Sequence, residues 1–205
     1  MGKIILDHRT QVRFLLVGVG GQGTILASDI LAEVGLKLGY DVKKAEIHGM
    51  SQRGGSVVSN LVWGPQVFSP IIPRGEADIL MAFEKLEAAR FGDYLRPGGL
   101  ALVNDYAILP VTVTSGPSIY PDNEKIRASL ARMDAEQYWV DGVGIAEGLG
   151  NARTANVVLI GALTAVLGIP VERMLEAVEA RVPAKYLELN RKAIDAGIRA
   201  AQLGA

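Results

Sequence analysis

The sequence predicts one α/β domain over residues 1–205. It has three layers, α/β/α, around a mainly parallel, Rossmann-like sheet, with an antiparallel hairpin excursion and a helical C-terminal part. Three observations carry this reading. Short apolar runs at Val12–Val17, Ile79–Phe83 and Leu100–Val103 read as buried, parallel-type strands. Apolar residues at helical spacing fill the intervals between strands, and three helical patterns close the chain. A length of 205 residues suits one large domain at ~150 residues each.

Each element follows in order. After Val12–Val17 comes a glycine-rich turn, and then Ala27, Ile30, Leu31, Val34 and Leu38 recur at helical spacing, with Gly39 placed to end the helix. Tyr40–His48 reads as a second strand, and residues 49–55 as a polar, glycine-rich loop. Ser56–Trp63 alternates loosely and is expected to pair with Gln66–Ser69 across Gly64-Pro65. Residues 86–95 suit a helix between the strands at Ile79–Phe83 and Leu100–Val103. Pro121–Met133 opens with proline and acidic residues, as helices do. Tyr138–Val140 is a short strand, followed by helices over about 154–167, 171–181 and 184–203. Thr154–Val171 carries no charge, but a helix ending near Leu167 is ~21 Å long, too short for ~30 Å of hydrocarbon. It reads as a buried core helix, and no membrane association is expected.

Composition narrows the chemistry. Lys plus Arg total 21 and Asp plus Glu 22, giving a net charge of −1, so the footprint of a nucleic-acid binder is absent. With no cysteine, the chain has no disulfide, thiolate zinc site, cysteine nucleophile or self-contained iron–sulfur cluster. A reducing, cytoplasmic location is the expectation. No serine–histidine–acid arrangement is readable, and neither catalytic residues nor metal ligands are assigned.

Two loops hold the candidate site. Gly18-Val19-Gly20-Gly21-Gln22-Gly23 lies between a predicted strand and helix, where glycines allow a tight turn and a helix N-terminus attracts an anion. The dinucleotide fingerprint also wants an acid ~20 residues later, but Lys43 and Lys44 stand there. Nicotinamide dinucleotide, a phosphate or carboxylate of another ligand, and plain close packing are all compatible with the pattern. Gln22 offers a polar group at the loop tip. His48-Gly49-Met50-Ser51-Gln52-Arg53-Gly54-Gly55-Ser56 offers an imidazole, a hydroxyl, an amide and a guanidinium between flexible glycines. It reads as a site for an anion or a polar partner, or as a solvated connection, and His48 alone as a structural histidine.

These two loops, with Phe68–Pro73, Gly75–Asp78, Phe83–Ala88, Tyr120-Pro121 and Gly150–Asn156, resemble the small, gamma-domain-type subunit of 2-oxoacid:ferredoxin oxidoreductases. The branch resembled is the beta subunit of the indolepyruvate-specific enzymes. The resemblance implies oxidative decarboxylation of an aryl pyruvate to an acyl-coenzyme A, with electrons passed to ferredoxin. It implies a large alpha subunit carrying thiamine diphosphate, magnesium and iron–sulfur clusters, and a chain inactive alone. Carried over residue by residue, Gly18, Gly20, Gly21, Gln22 and Gly23 form the ligand-facing loop. His48, Ser51, Gln52, Arg53, Gly54 and Gly55 face the same cleft, on the coenzyme A side or toward the alpha subunit. The competing expectations are a free-standing dinucleotide-dependent oxidoreductase and a non-catalytic binding or scaffold protein.

Overall fold

The computed structural model describes residues 10–48 and 54–203, with the His48 side chain outside the description. In chain order the elements are β1 (Val12–Val19), α1 (Thr24–Lys37), β2 (Asp41–His48), β3 (Ser56–Gly64), β4 (Ala77–Ala82), α2 (Lys85–Phe91) and β5 (Leu95–Asn104). There follow α3 (Val111–Thr114), α4 (Asn123–Ala131), β6 (Glu136–Val140), α5 (Gly142–Gly148), α6 (Ala155–Leu167), α7 (Val171–Arg181) and α8 (Leu187–Leu203).

The six strands form one sheet in the order β2-β3-β1-β4-β5-β6. β1, β4, β5 and β6 pair in parallel, while β3 runs antiparallel between β2 and β1. The expected hairpin therefore has a different partner: β3 turns back onto β2, and residues 66–69 are not a strand. β3 buries both faces, so it belongs inside the sheet with neighbours on both edges. The chain after it is pulled away where the Asp41 carboxylate accepts the Val67 N–H at 2.7 Å.

Side chains alternate between two cores. Phe14, Leu16, Leu61, Trp63, Ile79, Met81 and Leu102 face α1 and the C-terminal helices. Leu15, Val17, Val58, Val62, Leu80, Ala82 and Val103 face the side that holds Ala88 of α2 and Leu130 of α4. The uncharged segment becomes α6, 13 residues long and almost wholly buried between the sheet and α8. Among the described residues no helix is long and apolar enough to cross a membrane. α6 and α8 meet backbone to backbone, where a methyl group on Gly197 would overlap the Val158 carbonyl and one on Gly161 the Ile194 carbonyl.

Some boundaries and two helices differ from expectation. α4 starts at Asn123 because the Asp122 carboxylate accepts the Lys125 N–H at 2.8 Å. The helix expected over 86–95 ends at Phe91 in a tight turn, and α8 begins at Leu187 after another over Ala184–Tyr186. α3 and α5 were not expected. α5 begins with glycines but is started by the Asp141 carboxylate, which accepts the Gly144 N–H at 2.9 Å.

Candidate functional site

β1 and β4 are parallel neighbours whose following helices leave to opposite faces of the sheet, so a crevice opens between their carboxyl ends. A cleft of about 220 Å³ occupies this position. Its walls include Gly21 and Gln22, Phe83 after β4, Asn104 ending β5, Tyr106 and Ile108 beyond it, and Arg153 and Asn156 at the start of α6.

The glycine loop is shaped by packing at both ends and open in the middle. A Cβ on Gly18 would lie 2.6 Å from Thr24 Oγ1 and 3.1 Å from Gln22 Oε1, so α1 can sit close above β1 only if this residue is glycine. Gly23 adopts φ 78°, and a side chain there would strike the Asn156 amide. Gly21 adopts φ 103°, is exposed, and has open space where a Cβ would stand. It is the glycine of the loop tip that borders the cleft. Gln22 turns inward instead of presenting its amide to a ligand. Its Oε1 accepts the Val19 N–H at 2.8 Å, and its Nε2 donates to the Phe83 carbonyl at 2.7 Å. Asn104, buried, donates to the same carbonyl at 3.0 Å and accepts the Gly142 N–H at 2.9 Å.

Helix α1 opens toward this loop without a side-chain cap, because its N-cap is Gly23. Its first N–H groups and dipole are thus available to an anion. Thr24, at its first position, is 3% exposed, and its Oγ1 is buried with no hydrogen-bond partner. Arg153, an exposed lining residue of the cleft, has no ion-pair partner among the described residues.

The two predicted loops meet at one edge. β2 points the same way as β1, and the register His48–Val57–Gly18 brings both carboxyl ends level. The Gly20 N–H donates to the Gly55 carbonyl at 2.9 Å. Gly54, with φ 79°, borders a smaller cavity of about 90 Å³ beside Val19, Glu84 and Ile108. Ser51, Gln52, Arg53 and the His48 side chain lie outside the described residues. Arg153 and Asn156 are among the cleft residues that sequence reasoning did not assign. Their signal was present: Arg153 immediately precedes a long uncharged stretch, and Asn156 is a polar residue in the first turn of an otherwise apolar helix.

A dinucleotide site does not fit this topology. On the side away from β4, the neighbour of β1 is antiparallel β3, so the strand that should deliver a ribose-binding acid is displaced by one position. Lys44 is also engaged, its ammonium donating to Asp29 and to Glu46.

A family model described as pyruvate ferredoxin/flavodoxin oxidoreductase matches residues 13–200. The chain belongs to this family. A curated relative from Pyrococcus horikoshii, named indolepyruvate oxidoreductase subunit IorB, is 40% identical over 94% of this chain and 96% of its own length. The gamma subunit of a keto/oxoacid ferredoxin oxidoreductase from Geobacter sulfurreducens superposes with a TM-score of 0.69 at 26% identity, over 94% and 99% of the two chains. The fold recurs in a 2-oxoglutarate:ferredoxin oxidoreductase from Magnetococcus marinus, solved with 2-oxoglutarate, coenzyme A and succinyl-CoA. There the TM-score is 0.73 at 19% identity, covering 96% of this chain but only 32% of that one. Pyruvate ferredoxin/flavodoxin oxidoreductases work with thiamine diphosphate and iron–sulfur clusters. This family member has no cysteine, and among its described residues no group of three or more His, Asp or Glu could hold a metal. Without cysteine, these residues do not fit an iron–sulfur cluster held by this chain alone.

Proposed function

We propose that this chain is the cosubstrate-side subunit of an aryl-pyruvate:ferredoxin oxidoreductase. It assembles with a larger subunit that holds thiamine diphosphate, magnesium and the clusters, and it works only in that complex. The observation that carries the reading is the cleft: Gly21 edges it and the exposed Arg153 lines it, while the helix that follows the same glycine loop, α1, has no side-chain cap at its N-terminus. A phosphate of coenzyme A suits this set, because backbone N–H groups and a guanidinium both donate to its oxygens. Gly20, Gly23, Gly54, Gly55 and Gln22 shape the loops around it, with Gly18 as the packing residue beneath. The reading also assigns His48, Ser51, Gln52 and Arg53 to this site, with Arg53 taking a second anionic contact. The aryl-pyruvate branch is supported by the name of the Pyrococcus horikoshii relative.

In this reading the chain binds, orients and covers, while bond-making belongs to the larger subunit, which also passes electrons to ferredoxin. The test is reconstitution. Coenzyme A-dependent reduction of ferredoxin by indolepyruvate should need both subunits. Arg153→Ala should raise the KM for coenzyme A by about tenfold or more, the scale of a hydrogen bond to a charged group. Turnover by the single chain, or an unchanged KM in both Arg153→Ala and Arg53→Ala, would overturn it.

A further inference from the structure

The connection from Asn104 to Asn123 holds no regular structure beyond the single turn of α3. From Tyr106 to Pro121 it contains no charged residue, although 21% of the chain is charged. It is nevertheless largely exposed: Leu109 by 53%, Val111 by 77% and Ile119 by 89%. An exposed strap without charge is costly to leave in water and marks a surface that meets another protein.

The strap is held in place at both ends by one buried carboxylate. Glu84, 1% exposed, accepts the Ile108 N–H at 3.1 Å and the Tyr120 hydroxyl through the same Oε1. Its other oxygen accepts the Glu87 N–H at 2.9 Å. The Tyr120 oxygen in turn accepts the Leu86 N–H at 3.1 Å, and the Lys85 N–H donates to the Tyr106 carbonyl at 3.0 Å. A carboxylate is buried at this cost only where hydrogen bonds compensate it, and here they fix the strap before any partner arrives. Preordering lowers the entropy lost on association.

We infer that the strap over residues 106–121 is the surface that docks onto the larger, redox-bearing subunit. The inference rests on the proposed function and adds the surface to it. Two observations select this occupant. Tyr106 and Ile108 wall the cleft, so a second polypeptide bringing a reacting centre to the cleft must cover the strap as well. In addition, the same fold occupies only 32% of the Magnetococcus marinus chain, where it is continuous with a much larger polypeptide. Another apolar projection, Phe68 at 85% exposure, follows β3 at the opposite end of the strands, where Val67 is tied to the start of β2. It stands roughly 25 Å from the cleft, the length of an eight-residue strand.

The test measures the dissociation constant of the reconstituted complex. The variants are Val111→Asp with Ile119→Asp, and separately Phe68→Asp. All three sites are on the surface, and circular dichroism with thermal melting verifies that each variant folds. The strap variant should weaken assembly about 30-fold or more, as loss of an interface hot spot does. Phe68→Asp should change it less than about threefold, as a residue outside the contact does. Unchanged affinity of the strap variant overturns the inference. So does a strap-dependent homodimer of the isolated chain whose disruption leaves binding to the larger subunit intact. If the unaltered chain binds no such subunit, it is the subunit reading that fails.

Discussion

The Gln22 side chain joins the ends of β1 and β4, its Nε2 donating to the Phe83 carbonyl at 2.7 Å while its Oε1 holds the Val19 N–H at 2.8 Å. One amide thus sets the width of the crevice at the point where the helices diverge. Gln22→Ala leaves the Val19 N–H without its acceptor and should cost about 1–3 kcal/mol of stability. Urea unfolding monitored by circular dichroism measures it. Unaltered stability would show that the backbone holds the loop unaided.

Gly21 separates conformation from space. Its φ of 103° disfavours any side chain, yet a Cβ there meets nothing. Gly21→Val should keep the fold with a strain of about 1–3 kcal/mol. In the reconstituted complex it should sharply reduce coenzyme A-dependent activity. A variant with full activity would mark the loop as a packing turn.

The crossing of α6 and α8 makes the opposite case. A methyl group on Gly197 has no room against Val158, so Gly197→Ala must move one helix and should destabilise by about 1–3 kcal/mol or more. Gly148, at the end of α5, has open space and serves as the control. Gly148→Ala should be neutral or stabilising by about 0.5 kcal/mol. Equal melting temperatures for the two variants would contradict the crossing.

Burial, reinforced by the Glu84 carboxylate, pushes the Tyr120 hydroxyl well above the usual phenol range. Because the folded value is the raised one, its contribution to stability is complete below about pH 10 and is lost as pH climbs above that. The melting difference between the unaltered chain and Tyr120→Phe should therefore be constant from pH 7 to about 10 and shrink beyond it. Ultraviolet titration should show one late-titrating phenol missing in the variant.

Much of this protein was legible from residue patterns. The runs at Val12–Val17, Ile79–Phe83 and Leu100–Val103 are each apolar on consecutive residues, and only a strand covered on both faces needs that. The glycine spacing from Gly18 to Gly23 marked a strand-turn-helix junction, and the missing cysteines excluded an iron–sulfur cluster held by this chain alone. These are local properties, set by periodicity, backbone freedom and composition. Tertiary structure decided the rest, because it depended on partners distant in sequence. β3 has no local reason to choose β2 and β1 over residues 66–69; burial of both its faces makes the choice. Gln22 reads as a ligand contact until Phe83 is brought beside it, and Arg153 reads as a surface residue until the sheet carries α6 to the rim of the crevice. A side chain's role follows from what lies within ~3 Å of it, and only the folded chain supplies that neighbour.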